Sequence, residues 1–252
     1  MFKTGSTFLI GLGCLFSPRA FAAKIPVIGG YYLPIIGGKE KKFVKNFSID
    51  QTAVTNGNFA DFVSKNPRWR RGAVPSLFAD SKYLAHWKTP GDAGDVSISH
   101  SPVVNVSWFA AKAYCDADGS NLPTVDQWEY LAQFGDADST RDVEAAILEW
   151  YSKPNSDHTR NVRSTFKNKF GVWDVHGLIW EWTYDFNTTF ITGESRGDSA
   201  LEKSMFCGSG GASSADPSKY SAFMRFGFRS SLQANYSVEN LGFRCVTRQG
   251  KI

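Results

Sequence analysis

Sulfur, histidine and net charge are all scarce in this chain, and each shortage removes a class of function. Only four cysteines and three methionines occur among 252 residues. The four histidines, His86, His100, His158 and His176, show neither an H-x-x-x-H nor an H-x-x-E-H spacing, so no paired-imidazole metal site is written on a helix face. Charge is nearly balanced, at +4 overall. Nucleic acid is thereby excluded as a partner, because phosphate binding needs a concentrated basic face. No apolar run is long enough to cross a bilayer: the longest, Phe8 to Phe16, falls far short of the ~20 residues required. Internal repeats and domain linkers are absent as well.

That apolar run belongs to a leader. Lys3 precedes it, and Ser17-Pro18 and the small-residue site Ala20-Phe21-Ala22 follow. This is the tripartite pattern of a secretory signal cleaved after Ala22, and it predicts a periplasmic or secreted protein. Cys14 does not form a lipoprotein motif, since Leu12 sits one position too close to it. Removing residues 1–22 takes away Lys3 and Arg19 and leaves 26 basic against 24 acidic residues. Residues 23–252 suit one domain with a sizeable core. Aromatics at 15% and 23 glycines predict a loop-rich fold pinned by buried rings. Cys115, Cys207 and Cys245 remain after export, enough for one disulfide and one thiol.

Residues 24–50 read as a β-hairpin with Gly29-Gly30 and Gly37-Gly38 as turns, and Phe43 to Asp50 as a strand. Thr55 to Asn58 cap a short helix carrying Phe59, Phe62 and Val63 on one face. Residues 66–100 form a long irregular excursion, with Arg68-Trp69-Arg70-Arg71 as a basic cluster that is either a solvated loop or a patch steering an anionic ligand. Ser107 caps a helix over Trp108–Ala117. Thr124 and Gln127 stand at capping-box spacing ahead of another, and a third covers Asp142–Trp150. After residue 160 the pattern predicts short strands and turns.

The segment from Asn168 to Trp182 holds three tryptophans, two glycines and two carboxylates. Asp174 and Glu181 are seven apart, with Gly177 between them. Such a turn either aims carbonyl and carboxylate oxygens at a calcium ion or is a buried aromatic turn with two solvated acids. Spacing alone leaves both open, for this is not an EF-hand loop.

Three signatures occur in order: Pro102 to Trp108 with Ala113-Tyr114-Cys115 and Leu122 to Tyr130; the Asn168–Trp182 segment; and Asn240-Leu241-Gly242-Phe243-Arg244-Cys245. Together they resemble the formylglycine-generating enzyme (sulfatase-modifying factor) superfamily over residues 27–248. The resemblance implies a single loop-rich α+β domain, related to C-type lectins, with a cleft on one face. It implies structural calcium held by Asp174, Gly177, Ile179 and Glu181, and a Cys115–Cys245 disulfide. The family's other calcium loop is shortened here to Tyr151–Arg160, and its second disulfide has lost both halves, at Gln133 and Phe226.

One departure decides the functional expectation. Family enzymes bind copper(I) through a cysteine pair. Counting back from Arg229 puts Ser221 at one of those positions, and the other falls near Asp216, with no cysteine at either. A hydroxyl does not replace a thiolate for soft copper(I), so copper is not expected. Cys207 is either a small buried apolar residue or a reactive thiol or single metal ligand, with Met224 as an accessory thioether. The segments Phe206-Cys207-Gly208-Ser209 and Tyr220 to Arg225 resemble the exported, cysteine-poor branch associated with pyoverdine maturation and nitrite reductase. The resulting expectation is a periplasmic maturation factor modifying, or assisting oxidation of, a peptide or peptide-derived substrate. Cys207, Ser221 and Trp180 are its candidate catalytic residues; Trp180, Ser209, Tyr220 and Arg229 are its candidate substrate contacts. Arg229 and Arg244 are alternatively buried ion-pairing residues. The competing expectation is a non-catalytic, calcium-stabilised module that binds a periplasmic protein. A formylglycine-generating oxidase ranks last, because it needs both cysteines.

Overall fold

The computed structural model describes residues 22–34, 40–137, 143–152, 160–187 and 217–247. The expected leader lies outside them but for Ala22, as do Cys207 and Ser209. The chain opens with β1 (Lys24–Val27), β2 (Gly30–Tyr32), β3 (Lys42–Val44) and β4 (Phe47–Asp50). These pair antiparallel as the predicted hairpin, β1 with β4 and β2 with β3. Gly29 does not reverse the chain, however. It is a kink where the hairpin passes from one sheet into a second, and a Cβ there would meet the Val44 carbonyl oxygen at 2.0 Å. The predicted strand over Phe43–Asp50 accordingly breaks at Lys45 and Asn46. The reversal assigned to Gly37-Gly38 lies outside the described residues.

Three helices stand where their caps predict. In α1 (Asn56–Lys65) Thr55 and Asn58 form a reciprocal capping box, and Phe59, Phe62 and Val63 are buried. Ser107 caps α2 (Trp108–Ala117) by accepting from the Ala110 N–H. Thr124 and Gln127 box the start of α3 (Val125–Ala132). A fourth helix, α4 (Val143–Ser152), matches the expected position. Residues 66–100 are irregular apart from short 3-10 turns at Pro67–Trp69 and Val96–Ile98. Trp69 in that stretch is buried rather than solvated, and Arg71 donates to the Trp87 carbonyl.

The last third contains a helix that the sequence pattern missed. In place of strands and turns, α5 spans Pro217–Ser230. Proline at its first position suits a helix start, but Gly227 and several aromatic residues lower its intrinsic propensity. Packing on α4 supplies what propensity lacks: Ser221 in α5 bonds Glu144 in α4 through both its N–H and its hydroxyl.

The short strands β5 (Ser120–Asn121), β6 (Trp180–Glu181), β7 (Leu241–Gly242) and β8 (Val246–Thr247) complete the domain. The main sheet runs β1-β4-β8-β5, and β6 pairs parallel with β7. The core between α1, α2 and the last strands is aromatic. Phe59 stacks on Tyr114 at 5.8 Å, and Tyr114 meets Phe243 edge-on at 5.3 Å. Cys115 of α2 and Cys245 beside β8 form the expected disulfide across 130 positions, and neither residue is exposed.

Reducing this bond, or replacing both cysteines by serine, is expected to lower stability by about 4–5 kcal/mol through the released loop entropy. The midpoint of urea unfolding with and without reductant checks it. A pH effect follows from His176, which is buried and bonded through Nε2 to the Ala132 carbonyl at 2.8 Å. That oxygen only accepts, so Nε2 carries the proton. Burial, then the nearby Arg225 charge, pushes its pKa down to about 3. The folded value lies below the unfolded one near 6.5. Its contribution is therefore complete above pH ~6.5 and lost as pH falls toward ~3. Unfolding midpoints measured across that range should fall for the native chain and fall less for His176→Asn.

Candidate functional site

The bend from residue 160 to β6 is built from backbone that only particular residues tolerate. Gly177 has φ +92°, and Asp174, not a glycine, stands at +57°. A non-glycine residue in this region is uncommon, with Asp and Asn the usual exceptions because a short polar side chain bonds locally. Asp174 does so. One carboxylate oxygen accepts from the Thr165 N–H at 2.9 Å and the Thr165 hydroxyl at 2.8 Å. The other accepts from the Arg163 N–H.

Glu181, at the far end of the bend, has its own partners. Its side chain is fully buried against Arg244, whose Nε lies 2.9 Å from both carboxylate oxygens and whose Nη2 lies 2.7 Å from Oε1. Trp128 Nε1 donates to Oε2 at 2.9 Å. Arg244 also donates to the carbonyls of Asp50 and Trp173. The Gly177 carbonyl accepts from Arg160 Nη2 at 2.8 Å. Ile179 is buried with Ala53, Val104 and Leu178. Of the four residues expected to hold calcium, three thus direct oxygens at protein donors, two of them at guanidinium groups. Calcium needs six to eight oxygens converging on one point. This donor set does not fit that demand, and no role is derived for the ion.

Above the bend the site is aromatic and cationic. Trp180 lies 5.4 Å from Tyr151 in a stacked arrangement, 5.4 Å from Trp150 and 4.5 Å from Phe228. Residues 221, 225, 228 and 229 follow one face of α5 at helical spacing. Ser221 is completely buried, its hydroxyl 2.6 Å from Glu144 Oε2. Arg225 is 7% exposed, and its guanidinium lies 5.7 Å from the Trp128 ring centre. Glu129 faces both arginines at longer range, 3.6 Å from Arg225 and 3.9 Å from Arg229. Burial pushes the Arg229 pKa down, against the attraction of Glu129. Arg225 Nε and Nη1 are buried and find no acceptor among the described residues. The cavity here, lined by Trp128, Glu129, Trp180, Arg225, Phe228 and Arg229, is about 40 Å³. That is room for about one water molecule or one small polar group.

Trp180 and Arg229 therefore meet as expected, while Ser221 is turned into the α4 contact. Cys207 and Ser209 lie outside the described residues, and so does the side chain of Tyr220. Arg225 and Glu129 were missed. Arg225 stands one helical turn before Arg229, a spacing that carries meaning only once α5 is known to be a helix.

Comparison with known proteins decides the family. Residues 33–249 match the family described as the sulfatase-modifying factor enzyme 1-like domain. The chain belongs to this family. The formylglycine-generating enzyme of Streptomyces coelicolor is 30% identical over 260 residues, with 81% of this chain and 78% of the relative covered. The inactive C-alpha-formylglycine-generating enzyme 2 of Mus musculus is 26% identical, with 86% and 74% covered. Among solved structures, PvdO from Pseudomonas aeruginosa superposes with a TM-score of 0.51 at 16% identity, over 89% of this chain and 94% of that one. That last likeness is one of fold. Membership in the sulfatase-modifying family agrees with the α+β, loop-rich domain seen here and with the order of the three signatures.

Two measurements check the bend. Calcium chloride or EDTA is expected to leave the thermal midpoint unchanged, because guanidinium groups already meet the oxygens of Gly177 and Glu181. Arg244→Ala should cost about 3–5 kcal/mol, the penalty of stranding the buried Glu181 carboxylate, read from chemical denaturation.

Proposed function

We propose that the protein is an exported maturation factor of the sulfatase-modifying family. It grips the carboxylate of a peptide or peptide-derived substrate at Arg225 and Arg229, beside Trp180. The observation that carries this reading is Arg225, a buried cation whose Nε and Nη1 lack acceptors among the described residues. A buried donor without a partner costs about 1–3 kcal/mol, and an incoming carboxylate oxygen accepting from either Nε or Nη1 would offset that cost for one of the two diverging N–H groups. Trp180 offers a flat apolar wall with a polar edge. The cavity of about 40 Å³ admits a carboxylate head and leaves the rest of the substrate outside α5.

Copper chemistry of the usual family kind is no part of the proposal. The Ser221 hydroxyl donates a hydrogen bond to Glu144, and a hydroxyl oxygen is a poor partner for copper(I) in any case. A second reading, a binding module without chemistry, draws on the same fact: the described residues supply donors and aromatic walls but no thiol pair. Export is inferred from the leader pattern.

Calorimetric titration with short peptides bearing a free or an amidated C-terminus tests the grip. Free-carboxylate peptides are expected to bind roughly 10- to 100-fold more tightly, the worth of a charge-assisted hydrogen-bond pair. Arg225→Gln should erase that difference while the protein stays folded. Equal affinity for both peptides would refute the proposed carboxylate site. Retention of biological function by Cys207→Ala would leave the binding-module reading standing and end thiol-dependent catalysis.

A further inference from the structure

The hairpin β2–β3 breaks the usual rule for a half-solvated sheet. In such a sheet apolar side chains turn inward and polar ones outward. Here the inward residues are Tyr32 and Val44, 3% and 5% exposed, but the outward pair is also apolar: Tyr31 at 69% and Phe43 at 59%. These two are register partners, with ring centres 5.1 Å apart. Leu33, two residues beyond Tyr31, is exposed on the same side, and Ile28 is exposed at the entry to β2. Nine large apolar residues are exposed among the described residues, and this one hairpin carries four of them.

Lysines predominate around the patch. Strand alternation puts Lys41 and Lys45 on the side of Phe43, and both are exposed. Glu40, also exposed, precedes the strand by two residues. The patch cannot fold inward, because the inner side is pinned to α3. Tyr32 donates to Asp126 at 2.5 Å, Lys42 pairs with Asp126 at 3.1 Å, and Tyr130 donates to the Ile28 carbonyl at 3.1 Å.

We propose that this face docks on an anionic phospholipid surface. Aromatic and aliphatic side chains enter the headgroup boundary, while the lysines keep their ammonium groups at the phosphates. A second copy of the chain fits less well. Four side chains offer roughly 500 Å² at the sizes typical of large apolar residues, below the about 800 Å² per partner of a stable interface. Edge lysines, moreover, oppose strand-to-strand pairing. A lipid surface needs neither a large area nor a matching shape.

Co-sedimentation of the purified protein with vesicles tests this. Retention is expected on vesicles containing phosphatidylglycerol, with little on phosphatidylcholine alone, and it should fall as salt is raised. The double variant Tyr31→Ser, Phe43→Ser should weaken retention about tenfold or more. Should that variant fail to fold, Lys41→Glu with Lys45→Glu, which alters only exposed charges, should weaken it about tenfold. Absence of retention on phosphatidylglycerol overturns the proposal, as does equal retention of the native chain and the charge variant. A native dimer in analytical ultracentrifugation that Tyr31→Ser, Phe43→Ser dissolves would assign the face to a second copy instead.

Discussion

The Arg244 guanidinium is the constraint on which the rest of the domain is arranged. It is 1% exposed, it holds a fully buried Glu181, and it spans from that carboxylate to the carbonyls of Asp50 and Trp173. Two distant stretches of chain are thereby fixed to one planar group beside β8: the end of β4 and the aromatic bend that ends in β6. Such a pair contributes little net stability relative to apolar residues of the same shape. What it supplies is geometry, because a planar fork bonds carboxylate and carbonyl oxygens only along set directions. The neighbouring Asp50 extends the network, accepting from Lys24 and from the Cys245 N–H. Burial raises the Asp50 pKa, and the Lys24 charge works against that rise.

This arrangement also explains how the site and the scaffold share one short segment. Trp180 and Glu181 are adjacent in β6, and alternation sends their side chains to opposite sides. The glutamate is locked into the core, so the indole is presented to α5 and α4. A family resemblance assigns calcium to this bend, where Asp174, Gly177 and Glu181 turn their oxygens to protein donors. It does not anticipate the cations that meet them here. The sequence offers Arg244 as a buried ion-pairing residue, which it is, but names no partner for it, and it says nothing of Arg160.

Much of the fold was legible because its signals are local. Thr55, Ser107 and Thr124 cap helices where their spacing to Asn58, Ala110 and Gln127 says they should, and an N-cap bond is decided within four residues. The Cys115–Cys245 pairing was legible only through the family signatures, since three cysteines leave the choice open. The missed elements depend on distant partners. Helix α5 is stabilised by Glu144 and by the stacking of Phe228 on Trp180, contacts made across long stretches of chain. Gly29 looks like a turn residue, but its lack of a Cβ serves close approach to the Val44 backbone rather than a reversal. Arg225 stayed invisible for the same reason as the helix that carries it.

Strand β8 comes last among the described elements yet sits inside the main sheet, between β4 and β5. Every other strand of that sheet is made earlier and waits for it. A polypeptide without residues 245–247 leaves the facing edges of β4 and β5 unpaired and Cys115 without the Cys245 sulfur. Completion of that sheet is thus tied to the two residues of β8.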